Sequence, residues 1–101
     1  MQAAQLNDLG IQFNQQGKLD VAIDLWKQAE QADMFFPPSH LNLYQVYKSQ
    51  GNLPQAREQL IRFLNCPVTG FSIESIPRFK QELMELEKQM GIGQPPPQPA
   101  K

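Results

Sequence analysis

One cysteine, one histidine and a near balance of nine basic against ten acidic side chains leave this 101-residue chain without the means for several kinds of chemistry. A lone thiol, Cys66, makes no internal disulfide, which fits a reducing compartment such as the cytoplasm. One His and one Cys cannot close a four-ligand metal site, so neither a metal nor another cofactor is expected. A nucleophile needs a base within hydrogen-bond reach and a third group to orient that base. Nothing in the sequence brings His40 and Cys66 together, and no enzymatic activity is expected. A formal net charge of −1 gives no basic excess to attract nucleic-acid phosphates or anionic lipid. Apolar runs of a few residues cannot cross a bilayer, and the opening MQAAQLND lacks the charged-then-apolar plan of a secretory signal. Strand signals are weak as well, because no segment alternates apolar and polar residues over a useful length.

What the chain does have is a phrase written twice. Residues 9 to 22 read LGIQFNQQGKLDVA and residues 43 to 56 read LYQVYKSQGNLPQA. Leu9 and Leu43, Phe13 and Tyr47, Gln16 and Gln50, Gly17 and Gly51, Leu19 and Leu53, and Ala22 and Ala56 are all 34 positions apart. Self-similarity at such a period marks stacked supersecondary units. Within each copy the apolar spacing is helical. Leu6, Leu9 and Phe13 make one stripe; after Gly17, Leu19, Ala22, Trp26 and Ala29 make a second. The next copy gives Leu43 and Tyr47, then Leu53, Ala56, Leu60, Phe63 and Leu64. Pro38 and Pro54 fall in first helical turns, where a missing amide had no partner. Cys66-Pro67 and Gly70 are stop signals. A last helix starts near Ser75, read as its cap, with Pro77 just inside, and carries Ile76, Phe79, Leu83, Leu86 and Met90 down one face. Gly91 ends it as a left-handed residue would.

These spacings define a domain over residues 1–92, with a first repeat at about 3–36, a second at about 37–66 and a closing helix at about 75–90. Residues 93–101, from the proline-rich QPPPQPAK, read as a flexible tail, with docking of the prolines in an aromatic groove elsewhere as the alternative.

The repeated residues resemble the tetratricopeptide repeat. Leu6, Leu9-Gly10, Phe13, Gly17, Ala22, Trp26 and Ala29 follow its pattern in the first copy, and Leu43, Tyr47, Gly51, Ala56 and Leu60 in the second. The resemblance implies an all-α fold, an α-solenoid of antiparallel helix pairs with about five helices. It also implies a concave groove lined by the first helix of each pair: Asn7, Ile11, Asn14 and Gln15, then Leu41, Asn42, Gln45, Lys48 and Ser49, with Arg78 beside them from the last helix. Mostly neutral amides, these side chains both donate and accept, which suits the backbone of an extended or helical peptide. One variant of the family clamps terminal carboxylates with two lysines, two asparagines and an arginine. Here Asn42 and, with a shifted register, Arg78 would be the matches, while Asn7 and Ile11 stand where a lysine and an asparagine belong and Glu74 opposes the charge. A terminal-carboxylate partner is therefore disfavoured.

Departures from the pattern carry expectations of their own. Tyr44 stands at Gly10's position, and should open the second pair slightly or send its ring to the edge. Phe63 replaces a small residue, as it would if it met the last helix. His40 takes the position of Leu6, and Met34 that of the usual proline. Phe35 and Phe36 are expected to tuck under neighbouring helices, with an interaction patch as the alternative. Glu82, Glu85 and Glu87 alternate with Lys80 and Lys88 as a solvated face. The reading is thus a protein-interaction module that holds a peptide or helix of a partner, as a scaffold, assembly factor or chaperone adaptor, with no nucleic acid and no membrane insertion. The alternatives are a self-associating homodimer, or a piece of a longer array, since the first repeat has no helix before it to cover its open face.

Overall fold

In the computed structural model, which describes residues 2–67 and 73–91, five helices succeed one another without a strand among the described residues. They are α1 (Gln2–Gln15), α2 (Leu19–Ala32), α3 (Pro37–Ser49), α4 (Leu53–Leu64) and α5 (Ile76–Met90). A 3-10 turn at Ile73–Ser75 leads into α5. Each helix packs against the next in antiparallel fashion, α1 on α2 and α3 on α4 most extensively. The Gly70 stop signal and the tail at 93–101 lie outside the described residues.

The repeated phrase produces a repeated turn. Lys18 N–H reaches back to Phe13 O at 2.9 Å, and Asn52 N–H reaches Tyr47 O at 2.8 Å, bonds that satisfy carbonyls orphaned at the helix ends. Both need a left-handed residue at the bend, which Gly17 (φ 80°) and Gly51 (φ 74°) supply. Gly91 (φ 77°) ends α5 in the same way. Prolines occupy the first turns of α3, α4 and α5. Ser75 does not cap α5 through its side chain: it belongs to the 3-10 turn and is already in the right-handed region, not the extended one a capping hydroxyl needs.

Ala22 and Ala56 are fully buried, so both pairs close on a methyl group. Depth of closure differs between the pairs. Trp26, 2% exposed, sinks its indole onto the backbone of α1 and donates Nε1–H to Asn7 O at 3.1 Å. A Cβ on Gly10 would lie 2.5 Å from that Nε1. At the corresponding positions of the second pair the sizes are exchanged: Tyr44 replaces Gly10, Leu60 replaces Trp26, and both are buried. The second pair therefore accepts the phenol ring without sending it to the edge. Trp26 also shifts the buried stripe of α1, which is Ala3, Asn7 and Gly10 and not Leu6, Leu9 and Phe13. Leu9 is 42% exposed, while its counterpart Leu43 is completely buried between the pairs.

Phe63 meets α5 as expected, edge-to-face on Phe79 with ring centroids 4.8 Å apart. Arg57 Nε donates to Glu87 Oε2 at 2.9 Å along the same seam, so Glu87 is not part of a free solvated face. Phe35 departs from expectation. Its N–H is held by Asp33 Oδ1 at 3.0 Å in a tight bend, and the ring points out of the α2–α3 corner, 62% exposed beside the exposed Met34.

Truncating Trp26 to Ala should cost on the order of 3–5 kcal/mol in chemical unfolding followed by circular dichroism. Gly10→Ala should cost about 1–3 kcal/mol through overpacking. In a Trp26→Leu background, which copies the second pair, that Gly10→Ala cost should vanish. Additive costs in the double-mutant cycle would show that indole and glycine do not fit one another.

Candidate interaction groove

Side chains of α3 reach both α1 and α5. Asn42 Nδ2 on α3 donates to Asn7 Oδ1 on α1 at 2.9 Å, and Tyr44 O–H on α3 donates to Glu82 Oε1 on α5 at 2.7 Å. Two adjoining hollows follow α3. One, about 240 Å³, is walled by Asn14 of α1, Leu19 and Trp26 of α2, and Asn42, Gln45, Val46 and Ser49 of α3. The other, about 390 Å³, is walled by Tyr44, Gln45, Lys48 and Ser49 of α3 and by Arg78, Phe79 and Glu82 of α5. Gln45 and Ser49 border both, so the two form one open furrow.

Six of the ten residues expected to line a groove meet here: Asn14, Asn42, Gln45, Lys48, Ser49 and Arg78. Four do not. Asn7 is only 4% exposed and is bonded to Asn42, because the buried indole draws this face of α1 inward. Ile11 and Leu41 are half-buried against the core. Gln15 is exposed but walls neither hollow. Of the six, Asn14 and Gln45 are exposed amides, and the Ser49 hydroxyl donates back to Val46 O at 2.8 Å.

Glu82 organises the α5 side. One oxygen accepts from Tyr44 and lies 3.6 Å from Lys48 Nζ; the other lies 3.4 Å from Arg78 Nε. Lys48 also sits 5.7 Å above the Tyr44 ring. Sequence reasoning missed Glu82 and Tyr44. The four-residue spacing from Arg78 to Glu82 was a legible signal; the bond from Tyr44, 38 residues away, was not. Burial, reinforced by the hydrogen bond to the Glu82 carboxylate and its charge, pushes the Tyr44 phenol far above its ordinary value.

His40 and Cys66 keep separate company. The His40 ring is fully buried between Met34 O and Gln59. Cys66 donates Sγ–H to Arg62 O at 3.3 Å, and burial, with the nearby Asp33 carboxylate, raises its thiol pKa. No described helix is long and apolar enough to cross a membrane.

Tyr44→Phe removes a bond to a charged acceptor and should cost about 1.5–3 kcal/mol at neutral pH. Because folding raises the Tyr44 pKa, its contribution is intact below the unfolded phenol's pKa near 10 and declines as pH rises beyond it. Denaturation at a series of alkaline pH values should therefore show the wild type losing its advantage over Tyr44→Phe. A constant difference would contradict the assigned bond.

No protein-family model, no curated protein and no solved structure matches the chain.

Proposed function

We propose that the chain is a tetratricopeptide-type interaction module that holds an extended or helical segment of a partner protein in the furrow along α3. The observation that carries this reading is the convergence of side chains from α1, α2, α3 and α5 on one open furrow whose middle, at Gln45, is a free-standing amide. Amides there can hydrogen-bond a polypeptide backbone in either direction. The apolar edges of Trp26, Val46 and Phe79 offer contact area between them. On this reading the protein is a non-catalytic scaffold, assembly factor or chaperone adaptor that works in the cytoplasm. The one Glu82 carboxylate faces two cations, Lys48 and Arg78, which leaves the furrow a surplus of one positive charge and favours a partner segment that is neutral or weakly acidic.

Photo-crosslinking tests the reading. A photoreactive residue at Gln45 should capture a partner from the source cell, while one at Gln31 on α2 should not. An Asn14→Ala, Gln45→Ala, Lys48→Ala triple variant should lower capture at least tenfold with helicity unchanged; unchanged capture would move the contact surface off α3. Asn42 is left intact because its bond to Asn7 is structural.

A second reading, self-association, is favoured by one observation: Phe35 and Met34 stand exposed together at the α2–α3 corner, at 62% and 47%. If two copies pair there, the melting temperature will fall on dilution, and Phe35→Ser will abolish that dependence. A melting temperature independent of concentration leaves the monomeric module.

A further inference from the structure

We infer that two copies of this chain pair through the outer face of the first helix pair, made of Leu6, Leu9 and Phe13 of α1 with Val21 and Leu25 of α2. The 34-residue period identifies the face. Adding 34 to each position gives His40, Leu43, Tyr47, Gln55 and Gln59. In the second pair these residues form the joint with α2 and its corner. His40 Nε2 lies 2.6 Å from Met34 O, and Gln59 Nε2 donates to Glu30 Oε2 at 3.2 Å. Tyr47 and Gln55 wall the hollow between α4 and α2, opposite Lys27 and Gln31. Leu43 is completely buried at this joint, whereas Leu9, at the same place in the first pair, is 42% exposed. Val21 is exposed to the same extent, and Leu6, Phe13 and Leu25 are half-buried. The first pair thus presents a joint face that no described helix covers.

The composition of the face says what fits it. At the internal joint His40, Gln55 and Gln59 are polar and meet a polar stretch of α2; on the outer face all five positions are apolar, so a carboxylate or amide brought against them would be buried without a partner. A second copy of the same face brings only apolar groups. The neighbouring charges, Asp8, Lys18, Asp20 and Asp24, stand off it: their counterparts Asn42, Asn52, Pro54 and Glu58 do not wall the hollow at the internal joint. Gln2, Gln5 and Gln12, alongside on α1, are exposed amides that can bond across a rim in either sense. At the opposite end of the stack α5 covers α4, with Phe79 against Phe63 and Glu87 bonded to Arg57. Among the described residues the stack therefore has one open end. Like faces meeting there make an isologous contact, which closes at two copies. None of the five residues walls the furrow, so both furrows stay open in the dimer.

Sedimentation equilibrium of the full-length protein over a wide concentration range tests the contact. A monomer–dimer equilibrium is expected, tightened by added salt, because three of the four charges at the edge are acidic and screening relieves their repulsion. Leu9→Glu combined with Val21→Glu, at positions already exposed in the single copy, should weaken pairing by roughly a hundredfold or more. Phe35→Ser should leave it unchanged. A monomer at every concentration would overturn the inference and leave the face to a helix of another protein. Dimers that survive the double substitution, or that are lost with Phe35→Ser, would place the contact elsewhere, and masses growing past two copies would refute closure. Should the double variant fail to fold, dilution of the nitrogen-15-labelled wild type decides: amide resonances of α1 and the first half of α2 should move and those of α4 and α5 should stay. Movement confined to the Met34–Phe36 corner would overturn the assignment.

Discussion

How deeply the second helix of each pair sinks onto the first is the constraint from which the remaining geometry follows. In both pairs the approach is set by a buried alanine, Ala22 or Ala56. In the first pair it is carried further, because Gly10 lets the Trp26 indole lie on the α1 backbone and bond to Asn7 O. That single contact rotates a small and polar strip of α1 inward, leaving Leu9 at the rim. It fixes Asn7 where Asn42 can bond to it, and so sets α3 against α1. In the second pair the bulk is on the first helix instead. Tyr44 is large enough to reach past its own pair to Glu82, and this places α5 along the other flank of α3. The furrow has α3 as its floor because one pair carries its large aromatic on the second helix and the other carries it on the first.

Much of this was legible in the sequence. A 34-residue period, glycine at each bend and prolines in first turns located the helices and their pairing, since these depend on local backbone conformation and apolar spacing. What escaped was decided mostly by particular polar partners, although the Phe63 contact with α5 was foreseen. Asn7 reads as a groove amide until the Trp26 indole claims its carbonyl and Asn42 its side chain. Glu82 reads as solvated until a tyrosine from another helix reaches it. Phe35 reads as buried by its chemistry, but Asp33 bends the chain under it and turns the ring outward. Six of ten groove residues came together because helical phase places them; of the four lost, Asn7, Ile11 and Leu41 are covered by neighbouring helices, while Gln15 stays exposed outside the furrow.

Polar side chains are divided between the two layers in a way that bears on the proposed function. In the furrow the Asn14 and Gln45 amides face outward with spare hydrogen-bonding capacity, the property a peptide-holding surface needs, while Asn42 is spent on Asn7. Between α2 and α4 they face inward and are engaged: among the described residues no buried side-chain nitrogen or oxygen is left without a partner. Arg62 extends that inner network through Glu30 and Glu58, joining α4 to α2 across the back of α3. Replacing Asn14 or Gln45 therefore costs little stability, while Asn42 and the inner network are tied to the fold itself.

A repeated sequence carries a hazard that the inner network answers. Helices that share one apolar phrase at a 34-residue offset could pair out of turn, α1 with α4 or α3 with α2, and bury much the same alanines and aromatics. The residues of the network break that equivalence position by position. His40 corresponds to Leu6, Gln59 to Leu25, and Glu30 to Leu64, each polar group having an aliphatic counterpart in the other copy. In the native order the three polar side chains reach one another around Met34 and Arg62. In an exchanged order a buried carboxylate or imidazole would meet leucine, and an unpaired charge in the interior costs several kcal/mol, about 3–5 where one partner of a buried pair is removed. The penalty falls on the wrong pairing and spares the right one, so the same chain that relies on repetition for its helices relies on the failure of repetition at these three sites for their order.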